Sequence, residues 1–298
     1  MEILENQSLK EWAWWKIGGP ADYFCLPKTP EQVVDAVVWA RTKGLPITVL
    51  GGGTNCLISD DGVEGLVICM RQLVGSSVSE QNGRLLIQAL AGTPKAVLTK
   101  NFLQRQLAPA LFMCGLPGDV GGGVVMNAGV GEMITPREFV EITDWVEVLD
   151  LNTMQIRRLE SHDLKWSYRH TDGWQPGIIL RAGFSWEMGA DPDIPRKVKE
   201  ATRNRLARQP LDLPSCGSTF RNPPGHKAGA LIEQAGLKGH RVGGAQVSPK
   251  HANFIVNLGG ATAQEVWTII SLVRSEVQQQ FGVSLETEVK LLGRWPDL

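Results

Sequence analysis

Residues Pro46 to Leu50 form a short β-branched stretch that runs straight into Gly51-Gly52-Gly53-Thr54-Asn55. Consecutive glycines let backbone N–H groups converge on a diphosphate with no Cβ in the way. The triplet fits neither common nucleotide fingerprint: no Gly-Lys-Ser/Thr follows, and the dinucleotide pattern needs glycine where Cys56 stands. Alone, it reads equally well as a tight structural turn. A second cluster, Gly115-Leu116-Pro117-Gly118-Asp119-Val120-Gly121-Gly122-Gly123, leads into a predicted strand, Gly123 to Asn127, and a further loop, Ala128-Gly129-Val130-Gly131. Two glycine loops that each border a strand are a more specific signal than one, since both can wrap one extended cofactor.

Three other segments carry reactive side chains. Arg169, in Trp166-Ser167-Tyr168-Arg169-His170, offers a rigid fork suited to a carboxylate and to negative charge that grows there during reaction. As a loop arginine it is otherwise a solvated charge. Ser218, in Cys216-Gly217-Ser218-Thr219-Phe220-Arg221-Asn222-Pro223, lacks the G-x-S-x-G elbow of a serine nucleophile. A solvated turn serine and a helix cap are the plain alternatives, and Thr219 and Cys216 stand close by as competitors. Ser284 to Val289 alternates as a strand does, which puts Glu286 and Glu288 on one face, one of them open to being merely solvated.

These segments need a folded frame, and the composition supplies one. The 298 residues are 43% hydrophobic and 20% charged, enough for one or two domains with a sizeable core and too apolar for disorder. Thirty Lys+Arg against 31 Asp+Glu leave a net charge of −1 without charge runs, which argues against a nucleic-acid or membrane-surface binder. No apolar run approaches the roughly 18 residues of a spanning helix. The opening residues, acidic and polar, do not resemble a secretory signal, so the chain reads as cytoplasmic. Five scattered cysteines without a C-x-x-C pair, and five histidines without metal-ligand spacing, predict buried thiols and no metal.

Thr29-Pro30-Glu31-Gln32 is a capping box that opens a helix ending at Gly44. Strands are predicted over 65–70, 84–89, 139–151, 154–159 and 177–186, with a helix from Pro94 to Gln106. A turn-rich border at residues 190–195 precedes a basic helix, Lys197 to Arg208. Further on come a helix from Lys227 to Ala235, a strand from Phe254 to Asn257 and a long helix opened by Thr262-Ala263-Gln264-Glu265. Val266, Ile270, Val273 and Val277 share one face of that helix, which predicts packing on a sheet. The expected class is α+β in two lobes.

Gly-Gly-Gly-Thr-Asn at 51–55, followed by G-L-P-G-x-V-G-G-x-V-V-M-N-A-G at 115–129, resembles the flavin diphosphate loops of the UDP-N-acetylenolpyruvoylglucosamine reductases (MurB), whose FAD domain is of the vanillyl-alcohol-oxidase (PCMH) type. The resemblance covers about nine tenths of the chain, from Lys16-Ile17-Gly18-Gly19-Pro20 to Glu286-Thr287-Glu288-Val289-Lys290. It implies FAD-binding subdomains over 1–75 and 76–187, and a C-terminal α+β substrate domain over 188–298. It implies non-covalent FAD held by Leu50, Gly51, Gly52, Gly53, Thr54, Asn55 and Cys56, by Gly115, Pro117, Gly118, Gly121 and Gly122, by Asn127, Ala128 and Gly129, and by Arg205. It assigns a UDP-sugar to Tyr168, Arg208, Asn222, Glu233 and His251. The catalytic set it implies is Arg169, Ser218 and Glu288.

The implied reaction is NADPH-dependent reduction of an enolpyruvyl ether on UDP-N-acetylglucosamine to UDP-N-acetylmuramate for peptidoglycan. Hydride goes from flavin to the vinyl carbon, Ser218 gives the proton, and Arg169 and Glu288 stabilise the enolate-like state. The implied partners are the small molecules alone, on a monomer or weak oligomer. A different flavin oxidoreductase of the same fold and a non-catalytic UDP-sugar module are the rival classes. The sequence departs from the family at Asp119, where a small hydroxyl residue is usual. It also departs at Val130-Gly131-Glu132, a shortened form of the family's tyrosine-bearing loop. Segment lengths match the compact branch that lacks a tyrosine flap.

Overall fold

In the computed structural model, which describes residues 1–131 and 134–295, the chain divides into two compact units. One comprises residues 1–2, 25–52 and 68–204, the other 3–24, 53–67 and 205–298. Each has its own hydrophobic core. Glu132 of the shortened loop lies outside the described residues.

The first unit is built on a five-stranded sheet in the order Ser76–Gln81, Arg84–Leu90, Gly177–Glu187, Thr143–Asp150, Ile156–Glu160, with every neighbouring pair antiparallel. Period-two alternation turns Leu85, Ile87 and Ala89 to one face, where Val146, Val148, Ala182 and Phe184 join the core. Leu98 and Phe102 of the helix Lys95–Gln104 complete that core with Phe112 of the helix Pro109–Met113. Phe139 meets Phe112 and Phe184 edge-on, at ring separations of 6.3 and 5.8 Å. The helix Pro30–Thr42 starts where expected, with the Thr29 hydroxyl accepting the Gln32 N–H, but the expected box is not closed, because Gln32 Oε1 accepts the Lys28 N–H at 2.8 Å and not that of Thr29.

Two expected elements of this unit take another form. Gly123 to Asn127 is not a strand, because the helix Val120–Val125 occupies that stretch. Asp119 caps the helix by accepting the Gly122 N–H at 2.7 Å. A Cβ at Gly121 would crowd Ala91 and one at Gly123 would run into the Phe139 ring, so the glycines let this short helix lie against the core. The long strand expected from Phe139 begins only at Thr143, after a 3-10 turn over Phe139–Glu141.

In the second unit the helix Ala263–Phe281 carries the predicted capping box, Thr262 with Glu265, and ends at Gly282 with φ 69°. Val266, Ile270, Val273 and Val277 are buried as expected, together with Ile269. The helix packs on the antiparallel strands Arg241–Val242 and Ala245–Val247, which continue to Ile255–Asn257. The Trp15 indole donates to the Ile255 carbonyl at 2.7 Å, and the Asn257 amide donates to the Trp15 carbonyl at 2.8 Å. These bonds stitch the N-terminal segment into this unit. Cys56–Ile58 pairs in parallel with Lys290–Leu292. The strand expected over Ser284 to Val289 is reduced to one bridge, Thr287 to Phe220, because the chain there pairs with the serine loop alone.

Candidate active site

Ser218 and Glu288, far apart in sequence, are brought together in the second unit by the backbone. The Glu288 N–H donates to the Thr219 carbonyl at 2.8 Å, and the Arg221 N–H donates to the Glu286 carbonyl at 2.9 Å. Asn253 clamps the serine loop: its carbonyl accepts the Thr219 N–H at 2.8 Å, its Oδ1 the Phe220 N–H at 3.0 Å, and its Nδ2 donates to the Phe220 carbonyl at 2.8 Å. Asn55, from the first glycine loop, donates through Nδ2 to the Glu288 carbonyl at 3.1 Å and accepts the Lys290 N–H at 3.0 Å. Asn55, Ser218 and Glu288 therefore share one hydrogen-bonded frame.

The competitors separate on this frame. Thr219 is fully buried and its hydroxyl has no hydrogen-bond partner among the described residues, whereas Ser218 is only half-buried. Cys216 is buried, its thiol donating to the Cys56 carbonyl at 3.3 Å, and burial pushes that thiol well above its ordinary pKa. The Glu286 side chain is 78% exposed, with the Arg221 guanidinium 3.9 Å away; Glu288 is half-buried. The two carboxylates, which the alternation puts on one face, thus differ in their burial.

Ser218 opens onto a cavity of about 320 Å³ that Asn222, Glu233 and His251 also line. Lys227, Lys238 and Lys250 line it too, and the sequence reasoning passed over all three. Lysines in loops read as solvated charge, and only the fold reveals that three converge. Asn222 Oδ1 also accepts the Ala228 N–H at 3.0 Å, which steadies the helix Ala228–Gln234, and Glu233 accepts from Lys238 at 2.8 Å. Burial lowers the pKa of His251, which favours the neutral ring. Arg208 is exposed at the end of the helix Ile194–Arg208 and outside this lining; Arg205 Nε donates to Gln209 at 3.2 Å.

In the first unit, Leu50, Gly51 and Gly52 lead out of the strand Ile47–Leu50; the remainder of that loop, Gly53 to Cys56, belongs to the second. Arg71 Nη2 donates to the Gly52 carbonyl at 2.7 Å. In the second glycine loop Gly115 and Gly118 have φ 75° and 92°. Gly121 and Gly122 spend their N–H groups internally, on the Ala91 carbonyl at 2.8 Å and on Asp119 Oδ1 at 2.7 Å.

Asp119 is 4% exposed, with Oδ2 buried and without a hydrogen bond of normal geometry, facing Gly51. Burial raises its carboxyl pKa; the Gly122 and Gly52 amides and the Lys95 and Arg71 charges oppose that rise. Lys95 and Arg71 were not singled out by the sequence either. Asn127 is 1% exposed, and Ala128 and Gly129 follow it.

Tyr168 and Arg169 also lie in the first unit, on the turn between the strands Lys165–Ser167 and His170–Asp172. Arg169 has φ 56°, its guanidinium sits 4.6 Å from the Tyr168 ring, and Nη2 donates to the Gly129 carbonyl at 2.9 Å. Its side chain is 11% exposed, so the solvated-charge alternative does not hold. Among the described residues no group of three His, Cys, Asp or Glu could hold a metal, and no helix is long and apolar enough to cross a membrane.

Comparison with known proteins gives a concordant picture. A model of FAD-binding domains matches residues 21–159, and a model of the C-terminal domain of UDP-N-acetylenolpyruvoylglucosamine reductase matches residues 209–292. A UDP-N-acetylenolpyruvoylglucosamine reductase of Prochlorococcus marinus (strain MIT 9313) is 42% identical over 291 residues, spanning 96% of this chain and 92% of its own. One from Listeria innocua is 40% identical over 294 residues, spanning 98% and 95%. The crystal structure of UDP-N-acetylenolpyruvylglucosamine reductase (MurB) from Thermus caldophilus aligns with a TM-score of 0.76 at 31% identity, covering 98% of both chains.

Proposed function

We propose that this chain, which belongs to the UDP-N-acetylenolpyruvoylglucosamine reductase family, reduces the enolpyruvyl ether on UDP-N-acetylglucosamine to the D-lactyl ether of UDP-N-acetylmuramate, a peptidoglycan precursor, with electrons from NADPH. It is a flavin-dependent oxidoreductase, a UDP-N-acetylmuramate dehydrogenase, with an FAD-binding domain of the vanillyl-alcohol-oxidase type ahead of the family's C-terminal domain. The functional division that goes with this is 1–75 and 76–187 for FAD and 188–298 for the sugar nucleotide. The enzyme is placed in the cytoplasm, as a monomer or weak oligomer, with no macromolecular partner.

The chain fits an extended anionic cofactor. Asp119 at the glycine loops is turned inward and biased by burial toward its neutral form, while Arg71 and Lys95 add positive charge beside it. The residues that would hold FAD are Leu50 to Cys56, Gly115, Pro117 and Gly118, Asn127 to Gly129, and Arg205. Gly121 and Gly122 contribute by letting the helix behind them pack closely. FAD, when bound, carries hydride from NADPH to the vinyl carbon.

The protein's own groups then handle charge and proton. Arg169 takes the substrate carboxylate with its guanidinium and stabilises the negative charge that builds there. Glu288 supplies a carboxyl group that shares a proton with the substrate carboxylate. The Ser218 Oγ–H gives its proton to the carbon next to that carboxylate; serine is a weak acid, but a carbanion is a far stronger base than its alkoxide. Asn222, Glu233 and His251 take the sugar nucleotide, with Lys227, Lys238 and Lys250 opposing the diphosphate charge, and Tyr168 and Arg208 contribute from outside that cavity.

The observation that supports this assignment is the backbone frame that joins the loop of Ser218, which opens onto the lysine-lined cavity, to the segment of Glu288. Anaerobic NADPH should bleach the flavin absorbance and the enolpyruvyl sugar should then restore it. Bleaching without restoration points to another substrate class, and a colourless protein that takes up no FAD overturns the assignment.

A further inference from the structure

Asn127 ends the second glycine loop with φ 37° and a side chain that is buried. A buried amide must find partners at both ends. Its Oδ1 accepts the Val140 N–H at 3.0 Å, and its Nδ2 donates to the Ser167 carbonyl at 3.1 Å and to Glu138 Oε2 at 3.0 Å. The other oxygen of the same carboxylate, Glu138 Oε1, faces Arg169 Nη1 at 3.5 Å, with side chains 19% and 11% exposed. Glu138 is held in turn by the backbone. It forms an antiparallel bridge with Gly129, flanked by Val130 N–H to the Arg137 carbonyl and Phe139 N–H to the Ala128 carbonyl, both 3.0 Å.

From these contacts we infer that Glu138 is a positioning residue for Arg169, and that it ties the angle of the guanidinium to Asn127 of the flavin loop. The inference rests on the roles proposed above for Arg169 and Asn127. A guanidinium so nearly buried needs a counter-charge, since desolvating an uncompensated charge is costly. The Gly129 carbonyl holds one point of a planar group that turns about several bonds, and the Glu138 carboxylate, in ion-pair range of the second nitrogen at 3.5 Å, biases the angle of the plane by its charge. The plane matters because a bidentate grip on a substrate carboxylate is directional, and a misplacement of about 1 Å costs on the order of 10²-fold in rate. A lone Glu in Pro136-Arg137-Glu138-Phe139 carries no such signal in sequence.

Glu138→Gln keeps the shape and one acceptor oxygen for Asn127, and replaces the oxygen facing Arg169 by an uncharged NH2, so charge and acceptor are lost there together. In cofactor-free protein labelled with ¹⁵N, the Arg169 Nη–H signals should be resolved in the wild type, where rotation of the guanidinium is restrained. They should average away in E138Q while the Asn127 side-chain amide stays in place. In the FAD-loaded protein, NADPH should bleach E138Q at the wild-type rate, and reoxidation by the enolpyruvyl sugar should slow by ~10–100-fold. In an Arg169→Lys background the same substitution should cost about twofold or less, because the two residues act as one unit.

Persistent Nη–H signals in E138Q, or multiplicative losses in the double variant, would overturn the inference. If E138Q does not fold, Glu138→Asp serves the same test, keeping the charge one methylene short; resolved signals and wild-type reoxidation in that variant would overturn it equally. A wild type that binds no FAD, or is not reoxidised by the sugar, refutes the roles of Asn127 and Arg169 instead. The cofactor-free spectra still report on the Glu138–Arg169 contact in that case.

Discussion

Replacing Ser218 by Ala, with Thr219→Val and Cys216→Ala beside it, separates three neighbouring groups that could each be taken for the proton donor. Ser218 is half-buried and its truncation removes one oxygen, so folding stability should move by no more than about 0.5 kcal/mol. The loss of a general acid is worth ~10²–10⁴-fold, or about 2.7–5.4 kcal/mol of barrier, and should fall entirely on substrate-dependent flavin reoxidation. Flavin reduction by NADPH needs no proton from this loop and should keep its rate. Thr219 has a buried hydroxyl with no partner among the described residues, so T219V removes a group whose desolvation costs about 1–3 kcal/mol. That variant should be no less stable than the wild type and turn over near normally. C216A should lose some stability with its buried thiol and keep the reoxidation rate, whereas Ser218→Cys should retain part of the activity through a thiol proton. Anaerobic stopped-flow absorbance of the flavin reads both half-reactions, and denaturant melts read the stabilities. Near-normal product formation by S218A, or a T219V loss as large as that of S218A, would refute the reasoning.

Glu288→Gln should slow reoxidation far more than flavin reduction, and Glu286→Gln should be mild, since Glu286 is 78% exposed with only a 3.9 Å contact to Arg221; the opposite ranking in the same assay means the wrong carboxylate was chosen. Asp119 has its native pKa raised above the ordinary 3.8, so the folded state holds that proton more tightly than the unfolded chain. Wild-type stability should therefore fall relative to Asp119→Asn as pH rises above 3.8 through the raised native value, and parallel pH–stability curves would contradict this. Gly53→Ala places a Cβ against the Trp12 carbonyl at a backbone φ of 67°, which should cost at least the ~1–2 kcal/mol of a left-handed non-glycine residue; an unchanged denaturation midpoint argues against it.

Much of the frame was legible because its signals are local. The Thr29 cap, the capping box at Thr262, the apolar face of the helix Ala263–Phe281 and the alternation of the central strands are each set by residues within a few positions of one another. The two glycine loops were legible for the same reason. Val124 and Val125 misled because β-branched residues favour strands, yet here an Asp119 cap and flanking glycines let a single helical turn lie on the core. The alternation of Ser284 to Val289 was real in sequence, but the segment pairs with the short serine loop through the Thr287–Phe220 bridge, so the expected strand shrinks to that bridge.

What sequence could not supply was partnership over distance. Lys227, Lys238 and Lys250 look alike as exposed charge, and only the folded second unit converts them into one cationic lining. Asp119 looked like an intruder beside an anionic cofactor. Its side chain turns inward to the Gly122 amide, and Lys95 and Arg71 stand beside it, so the substitution of a small hydroxyl residue by a carboxylate is absorbed without placing free negative charge at the loops. The same logic distinguishes Glu288 from Glu286. Both belong to one motif, but the backbone of Glu288 is gripped by Thr219 and Asn55 while the side chain of Glu286 stands mostly in water. A carboxylate contributes to a reaction most when the field it makes is fixed before the charge appears, a condition that suits the half-buried Glu288 better than the exposed Glu286.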